Sequence, residues 1–350
     1  MANEQQTGSK SPESAKAPSP PMHLPAIEPD TANLSDGDSA VETDVEGSET
    51  TSLASNIVKY RQENGRTYHS YKDGSYFLPN DDTENDRLDM QHHLCFMTFG
   101  NKLCTCPAGE DKPLKRVLDA GCGTGVWTMD FADEHPETEV MGVDLSPIQP
   151  SLVPPNAIFM VDDLEEGWTF KHPFDFIYLR FLVGSLRDWD KLLDQALANL
   201  SPGGWIETVD VVFPLAYDDD DSVPKDQALY RWSNLMREGT AKAGLSLDGS
   251  LELKQKMLDR GFSNVTETWY KWPINRWPKD PKVKDIGGWS MENALSGLSA
   301  MSLALFTRVL GWTREDVEMF LVEVRKDLRN KNIHGYWRVL AVSGQKSESE

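Results

Sequence analysis

Val117-Leu118-Asp119-Ala120-Gly121-Cys122-Gly123-Thr124-Gly125 is the stretch on which the reading of this chain turns. Arg116–Ala120 reads as a short buried strand that ends beside an acid. The glycines that follow make a tight strand-to-helix turn. They let the backbone approach a ligand, and the N-terminus of the next helix adds donors and positive potential. A nicotinamide dinucleotide fingerprint spaces its glycines GxGxxG. Here Gly121, Gly123 and Gly125 read GxGxG, with Asp119 ahead of them. An acid in that place suits a cationic amino group better than a pyrophosphate.

The chain around this turn repeats one pattern. Strands are predicted over 116–120, 140–144, 157–161, 174–180 and 205–212, with helices over 124–134 and 189–200 between them. Ser201-Pro202-Gly203-Gly204 stops the second helix. Strands alternating with helices at this spacing build right-handed βαβ units and a parallel sheet covered on both faces. Such sheets bind ligands at the carboxyl ends of their strands. Asp144 ends the second strand, where its carboxylate can hold the two hydroxyls of a ribose. Asp162-Asp163 follow the third, where an acid can accept from an adenine amino group. Together these acids describe a site for an adenosine that carries a cationic amino acid.

That arrangement resembles motif I and its companions in class I S-adenosyl-L-methionine-dependent methyltransferases. The resemblance extends to the fungal LaeA-like methyltransferases. It is carried by Tyr68-His69-Ser70-Tyr71-Lys72-Asp73-Gly74-Ser75-Tyr76, by Leu78-Pro79-Asn80-Asp81 and by Asp86-Arg87-Leu88-Asp89-Met90-Gln91-His92-His93. Trp127, Phe131–Pro136, Asp144–Pro150 and Pro202-Gly203-Gly204-Trp205 add to it. The match spans roughly residues 57–345. It implies a Rossmann-like seven-stranded α/β sheet with its last strand antiparallel, a helical N-terminal lid, and a helical insertion before the last strand. By the resemblance, Asp119, Gly121, Gly123, Asp144 and Asp163 are cofactor positions, and Asp162 can replace Asp163 toward the adenine. Tyr178 and Arg180 end the fourth strand, where this superfamily often places substrate-facing residues. No Asn-Pro-Pro-Tyr or Asp-Pro-Pro-Tyr tetrad follows; the chain reads Tyr178-Leu179-Arg180-Phe181, which argues against adenine-N6 and glutamine methylation.

Three segments follow. Residues 1–54 are Ser-, Pro- and acid-rich without an aromatic residue, and are expected to be a disordered tail. Residues 55–115 form the lid segment, with a helix over 82–103 capped by Asp81 or Asp82. Residues 116–345 form the methyltransferase domain, with helices over 225–243 and 251–260, a strand over 265–272, a break of the chain at Pro273, Pro278 and Pro281, a cap insertion over about 284–330 with helices over about 287–310 and 314–328, and a last strand over 336–342. Thr313 is an expected N-cap, with Asp316 three residues on.

On the predicted lid helix, Asp89 and His92 share a face. His92 or His93 near the methyl group would serve as general base; satisfied histidines on a solvated face are the alternative. A metal at these adjacent histidines is not expected, because neighbours on a helix point apart and no third ligand is evident. Tyr68, Tyr71 and Tyr76 read as anchors of an extended segment. Trp289, Met291, Met301 and Phe306 read as core of the insertion, or as cover for an apolar substrate. Asp218–Asp221 reads as a solvated loop, and Cys122 as a small filler in the glycine turn.

The chain has 350 residues, 35 Lys and Arg against 56 Asp and Glu, and a net charge of −21. Its pI is near 4.7 and its mean hydropathy −0.50. No apolar run reaches the ~20 residues of a membrane span. No apolar core of a secretory signal stands at the N-terminus. Four unpaired-looking cysteines suit a reducing compartment. Strong acidity argues against a broad nucleic-acid-binding face. The family resemblance implies a nuclear and/or cytoplasmic regulator of secondary metabolism acting with velvet-type proteins. No basic import cluster is visible, so nuclear access would depend on a partner. It equally implies a tailoring O- or N-methyltransferase of a fungal natural product. A catalytically silent cofactor-binding scaffold is the third alternative.

Overall fold

The computed structural model describes residues 24–30, 60–68, 77–217 and 227–348. In chain order the elements are β1 (Arg61–Glu63), β2 (Arg66–Tyr68), α1 (Asp82–Thr98), β3 (Arg116–Ala120), α2 (Val126–Glu134), β4 (Glu139–Asp144), β5 (Ala157–Val161), β6 (Phe174–Arg180), α3 (Trp189–Asn199), β7 (Leu200–Tyr217), α4 (Ala228–Lys242), α5 (Leu253–Asp259), β8 (Ser263–Pro273), α6 (Pro281–Arg308), α7 (Arg314–Arg329) and β9 (Gly335–Gln345). A single 3-10 turn, Gly249–Glu252, leads into α5. No helix among these is long and apolar enough to cross a membrane.

Seven strands form one sheet in the order β5-β4-β3-β6-β7-β9-β8. β3 through β7 pair in parallel, and β9 runs antiparallel to both β7 and β8. This is the expected Rossmann-like sheet. From β3 the chain winds outward to β5, then crosses back to β6. The crevice for a ligand opens at that reversal, beyond the carboxyl ends of β3 and β6.

Strand alternation sorts the side chains into two layers. Val117, Phe176 and Tyr178 join Trp127 and Phe131 of α2 and the apolar faces of α4, α6 and α7 on one side. Leu118, Ile177 and Leu179 join Leu192, Leu193 and Ala196 of α3 and Met257 of α5 on the other. Strands clothed on both faces read as near-continuous apolar runs, which explains why RVLDA and FDFIYLR were legible.

Several boundaries moved for local reasons. α1 is capped by Asp81, whose carboxylate accepts from Glu84 N. It stops at Thr98 rather than Leu103, because Gly100 and Asn101 turn left-handed, with φ of +68° and +64°. α6 begins at Pro281, earlier than expected. Pro281 is the first helical residue, behind the Asp280 cap that accepts from Lys282 N and Val283 N, and so it starts a helix instead of breaking one. The Thr313/Asp316 capping box of α7 is present as expected. β1 and β2 form a hairpin not anticipated from the sequence, although Asn64-Gly65 at its tip, both with positive φ, is a strong hairpin signal.

Residues 24–30 depart from the expected structureless tail. Pro29 bridges Pro278, Asp30 N donates to Trp277 O, Lys279 N donates to Glu28 O, and Lys284 and Lys279 pair with Asp30 and Glu28. The short segment docks along the approach to α6. The rest of the expected tail, Tyr71, Tyr76 and Asp218–Asp221 lie outside the described residues. Tyr68 is buried under the Arg308 guanidinium at 4.8 Å, consistent with an anchor.

Candidate active site

The glycine turn lies where the reading of the sequence placed it, over the carboxyl end of β3. Gly121, Gly123 and Gly125 all take left-handed φ values, +83°, +54° and +81°. A Cβ on Gly121 would sit 2.6 Å from Leu182, and one on Gly125 would sit 2.5 Å from the Phe159 ring. Both the backbone conformation and the space therefore require glycine. Gly121 N and Cys122 N donate to Val143 O, which fastens the turn to β4. Cys122 is a half-buried thiol on the cavity wall, pushed well up by desolvation and by the nearby Asp144 and Asp119, so it is no thiolate nucleophile.

Asp144, at the end of β4, accepts from Gly123 N at 2.9 Å and from Ser146 N at 2.9 Å. The two bonds fix its carboxylate against the turn. Asp162 N donates to Asp144 O, and the Asp162 carboxylate accepts from Asp163 N while that of Asp163 accepts from Glu165 N. Asp144, Asp162 and Asp163 thus line one cavity of about 490 Å³ with Gly121, Gly123 and Arg180. Asp119 does not reach its wall. It is buried behind the turn, accepts from Thr128 Oγ1 at 2.7 Å, and is pushed up to about 6 by desolvation. Its influence on the cavity is electrostatic.

Neither histidine lines the cavity. His92 is a buried wedge. Its Nε2 donates to Asp130 at 3.0 Å, and its Nδ1 accepts from both terminal nitrogens of Arg180 at 3.2 Å. An arginine has no acceptor, so this arrangement sets the neutral tautomer with the proton on Nε2. Desolvation, with help from Arg180, holds His92 below its ordinary value. With both ring nitrogens engaged it is not free to take a proton from an acceptor. His93 points away, exposed, its ring edge-on to Trp289 at 4.9 Å. Tyr178 lies beneath the sheet end, stacked on Trp127 at 4.2 Å, and is core. Of the two residues expected to face substrate, only Arg180 reaches the cavity.

The lid residues that do reach it were not anticipated as site residues: Asn80, Glu84, Leu88 and Gln91. The spacing of Glu84, Leu88 and Gln91 along α1 is the one-face signal that could have found those three. A second, mostly apolar chamber of about 180 Å³ adjoins the first, sharing Leu78, Leu88, Gln91, Phe181 and Ser185 with it. Trp232, Trp272, Trp337 and Phe213 form its walls, and Met301 and Leu305 of α6 its roof. Met301 therefore covers a chamber, whereas Phe306 is core and Trp289 is surface. The Arg87 guanidinium at the chamber edge is neutralised by Glu84, at 2.7 and 3.0 Å, and donates to Asn293 of α6.

The residues fit a nucleoside bearing an amino acid. The turn offers backbone at close range, the carboxylates of Asp144, Asp162 and Asp163 stand at the strand ends on the cavity wall, and the volume is that of a small-molecule site. A family described as a methyltransferase domain matches residues 94–267. The methyltransferase pytC of Aspergillus terreus is 39% identical over 85% of this chain and 91% of its own. The secondary metabolism regulator LAE1 of Cochliobolus heterostrophus is 37% identical over 78% of this chain and 91% of its own. The protein-methionine methyltransferase laeA of Emericella nidulans is 33% identical over 79% and 74%. Among solved structures, phosphoethanolamine N-methyltransferase 2 of Haemonchus contortus, in complex with S-adenosyl-L-methionine, is 17% identical over 78% of this chain and 54% of that one, with a TM-score of 0.41. With pytC, LAE1 and laeA each at least 33% identical over most of its length, the chain belongs to the fungal LaeA-like family of S-adenosyl-L-methionine-dependent methyltransferases.

Proposed function

We propose that this enzyme is a LaeA-type regulator of fungal secondary metabolism that methylates an uncharged, apolar acceptor group inserted into the second chamber. The observation that carries the acceptor chemistry is the chamber itself. Its walls are aromatic and aliphatic, it opens on the cofactor cavity, and its one guanidinium is already neutralised. Burying a charged acceptor there would cost several kcal/mol without a partner. A space of about 180 Å³ suits one side chain or one ring. The regulatory role is supported by the relatives named LAE1 and laeA. Velvet-type partners and a nuclear and/or cytoplasmic location are part of this proposal.

In this reading Asp144 takes the ribose hydroxyls, Asp163 or Asp162 the adenine amino group, and the glycine turn the amino-acid end. The bound cofactor supplies an electrophilic methyl on a sulfonium. What the chain adds is alignment of the acceptor and exclusion of water.

A second reading, tailoring of a free metabolite, is favoured by the similarity to pytC, the highest identity among these relatives. One experiment separates the two. Fungal extract is incubated with the full chain and methyl-labelled S-adenosylmethionine, then split into protein and organic-soluble fractions. Label in protein supports the regulator; label confined to organic solutes overturns it in favour of tailoring. Asp144→Ala is the control, expected to lose at least ~10-fold in cofactor affinity with two charge-assisted bonds removed. No label in either fraction, with cofactor bound, would leave the silent scaffold.

A further inference from the structure

Among the described residues, Arg180 is a cation of the cofactor cavity wall that no carboxylate pairs at contact distance. It ends β6, faces the cavity beside Gly121 and Phe181, and is absent from the walls of the apolar chamber. Among the described residues no carboxylate lies within ion-pair distance of it. Its neighbours are the neutral His92 ring, the Cys95 thiol and the faces of Tyr178 at 5.9 Å and Phe181 at 6.0 Å, and the buried Asp119 acts on it only through space, without a hydrogen bond. The other cations on the cavity wall have partners. Arg187 stands 3.9 Å from Glu165, and Lys191 donates to Glu165 O at the rim.

A guanidinium taken out of water costs several kcal/mol unless an anion answers it. Its planar fork matches a carboxylate in a bidentate pair. One ring nitrogen and a thiol cannot use all its N–H donors. The support behind it is built to hold that fork still. His92 Nδ1 receives both terminal nitrogens, and Asp130 holds His92 in the tautomer that leaves Nδ1 free to accept.

We propose that Arg180 receives the α-carboxylate of the cofactor's methionine moiety, with His92 and Asp130 as positioning residues behind it. The inference rests on the S-adenosylmethionine assignment. The amino-acid end of that cofactor carries an ammonium and a carboxylate. Asp119, buried behind the turn, answers the first charge at a distance, and Arg180 answers the second. A carboxylate on the acceptor is the other source of such an anion, but Arg180 does not line the chamber in which the acceptor is placed.

The test is calorimetric binding to the full chain of S-adenosylmethionine and of its decarboxylated analogue, which keeps the adenosine, sulfonium and ammonium. Wild type is expected to prefer the carboxylated ligand at least 10-fold. Arg180→Met is expected to bind both ligands alike, with affinity for the decarboxylated analogue within about threefold of wild type. Arg180→Lys keeps the cation without the fork and is expected to retain part of the preference, which covers a poorly folded methionine variant. A wild type without preference overturns the proposal. So does an Arg180→Met that keeps the full preference, the result expected if Arg180 served the acceptor. Binding of neither ligand by folded wild type overturns the cofactor assignment beneath it.

Discussion

Asp89 of the lid helix accepts a 2.6 Å hydrogen bond from Thr124 Oγ1 in the glycine turn. This bond joins the two parts of the site that come from different segments of the chain, the helix above and the strand end below. Thr124→Val removes the donor without changing volume much, and leaves Asp89 exposed to water. Such a bond is worth ~1 kcal/mol. Cofactor affinity should fall about three- to tenfold in calorimetry, with unchanged circular dichroism. Unaltered affinity would mean that the lid is held by its other contacts, to α6, Asp130 and Arg180.

Asp210, buried in β7, accepts from Val183 N at 2.9 Å and so supports the loop carrying Phe181. Desolvation pushes its carboxyl up from 3.8 to about 7. Between those values the native protein holds a proton that the unfolded chain has lost. Stability therefore falls as pH rises from about 4 toward 7, by up to ~1.4 kcal/mol per pH unit. Asp210→Asn cannot titrate and keeps an acceptor oxygen. Urea denaturation from pH 4.5 to 7.5 should show the variant gaining on wild type as pH rises. Parallel profiles would contradict the assignment.

His92 should behave as a neutral wedge. Burial lowers its titration, Arg180 lowers it further, and the exposed Asp130 only partly opposes them. Nuclear magnetic resonance titration, with His92→Gln to assign the signal, should place it below the ordinary 6.5 with the proton on Nε2. A midpoint above 6.5 would restore its candidacy as a base.

Gly297 of α6 faces Arg87 of α1. A Cβ there would stand 2.6 Å from Arg87 Cδ and 3.1 Å from its Nε. Glu84 and Asn293 pin that side chain, so it cannot swing aside cheaply. Overpacking costs about 1–3 kcal/mol, against ~1 kcal/mol gained from alanine in a helix. Gly297→Ala should lower the thermal midpoint and weaken cofactor binding through the lid. A raised midpoint would show that the Arg87 network yields.

The glycine turn, the strand-end acids and the seven strands were legible because each is a local statement. Buried strands need apolar runs, left-handed turns need glycine, and an acid at a strand end has few places to point. The Thr313 cap followed from Asp316 three residues on, whereas Asp81 and Asp82 were equal candidates until the structure chose Asp81. Pro281 was misread because a proline both breaks helices and begins them, and only the Asp280 cap ahead of it decides which. The docking of residues 24–30 was invisible, since its bonds run to a segment some 250 positions away.

The sequence by itself determined the sheet, the turn and the cofactor class, because backbone conformation and strand-end chemistry are written in adjacent residues. Only the tertiary structure decided what surrounds the cofactor cavity. It turned His93 outward, closed both nitrogens of His92, left Arg180 facing the cavity, and assembled an apolar chamber from α1, β7, α4, β8, α6 and β9. Those outcomes depend on which faces of separate helices meet across the sheet edge, and no single segment carries that information.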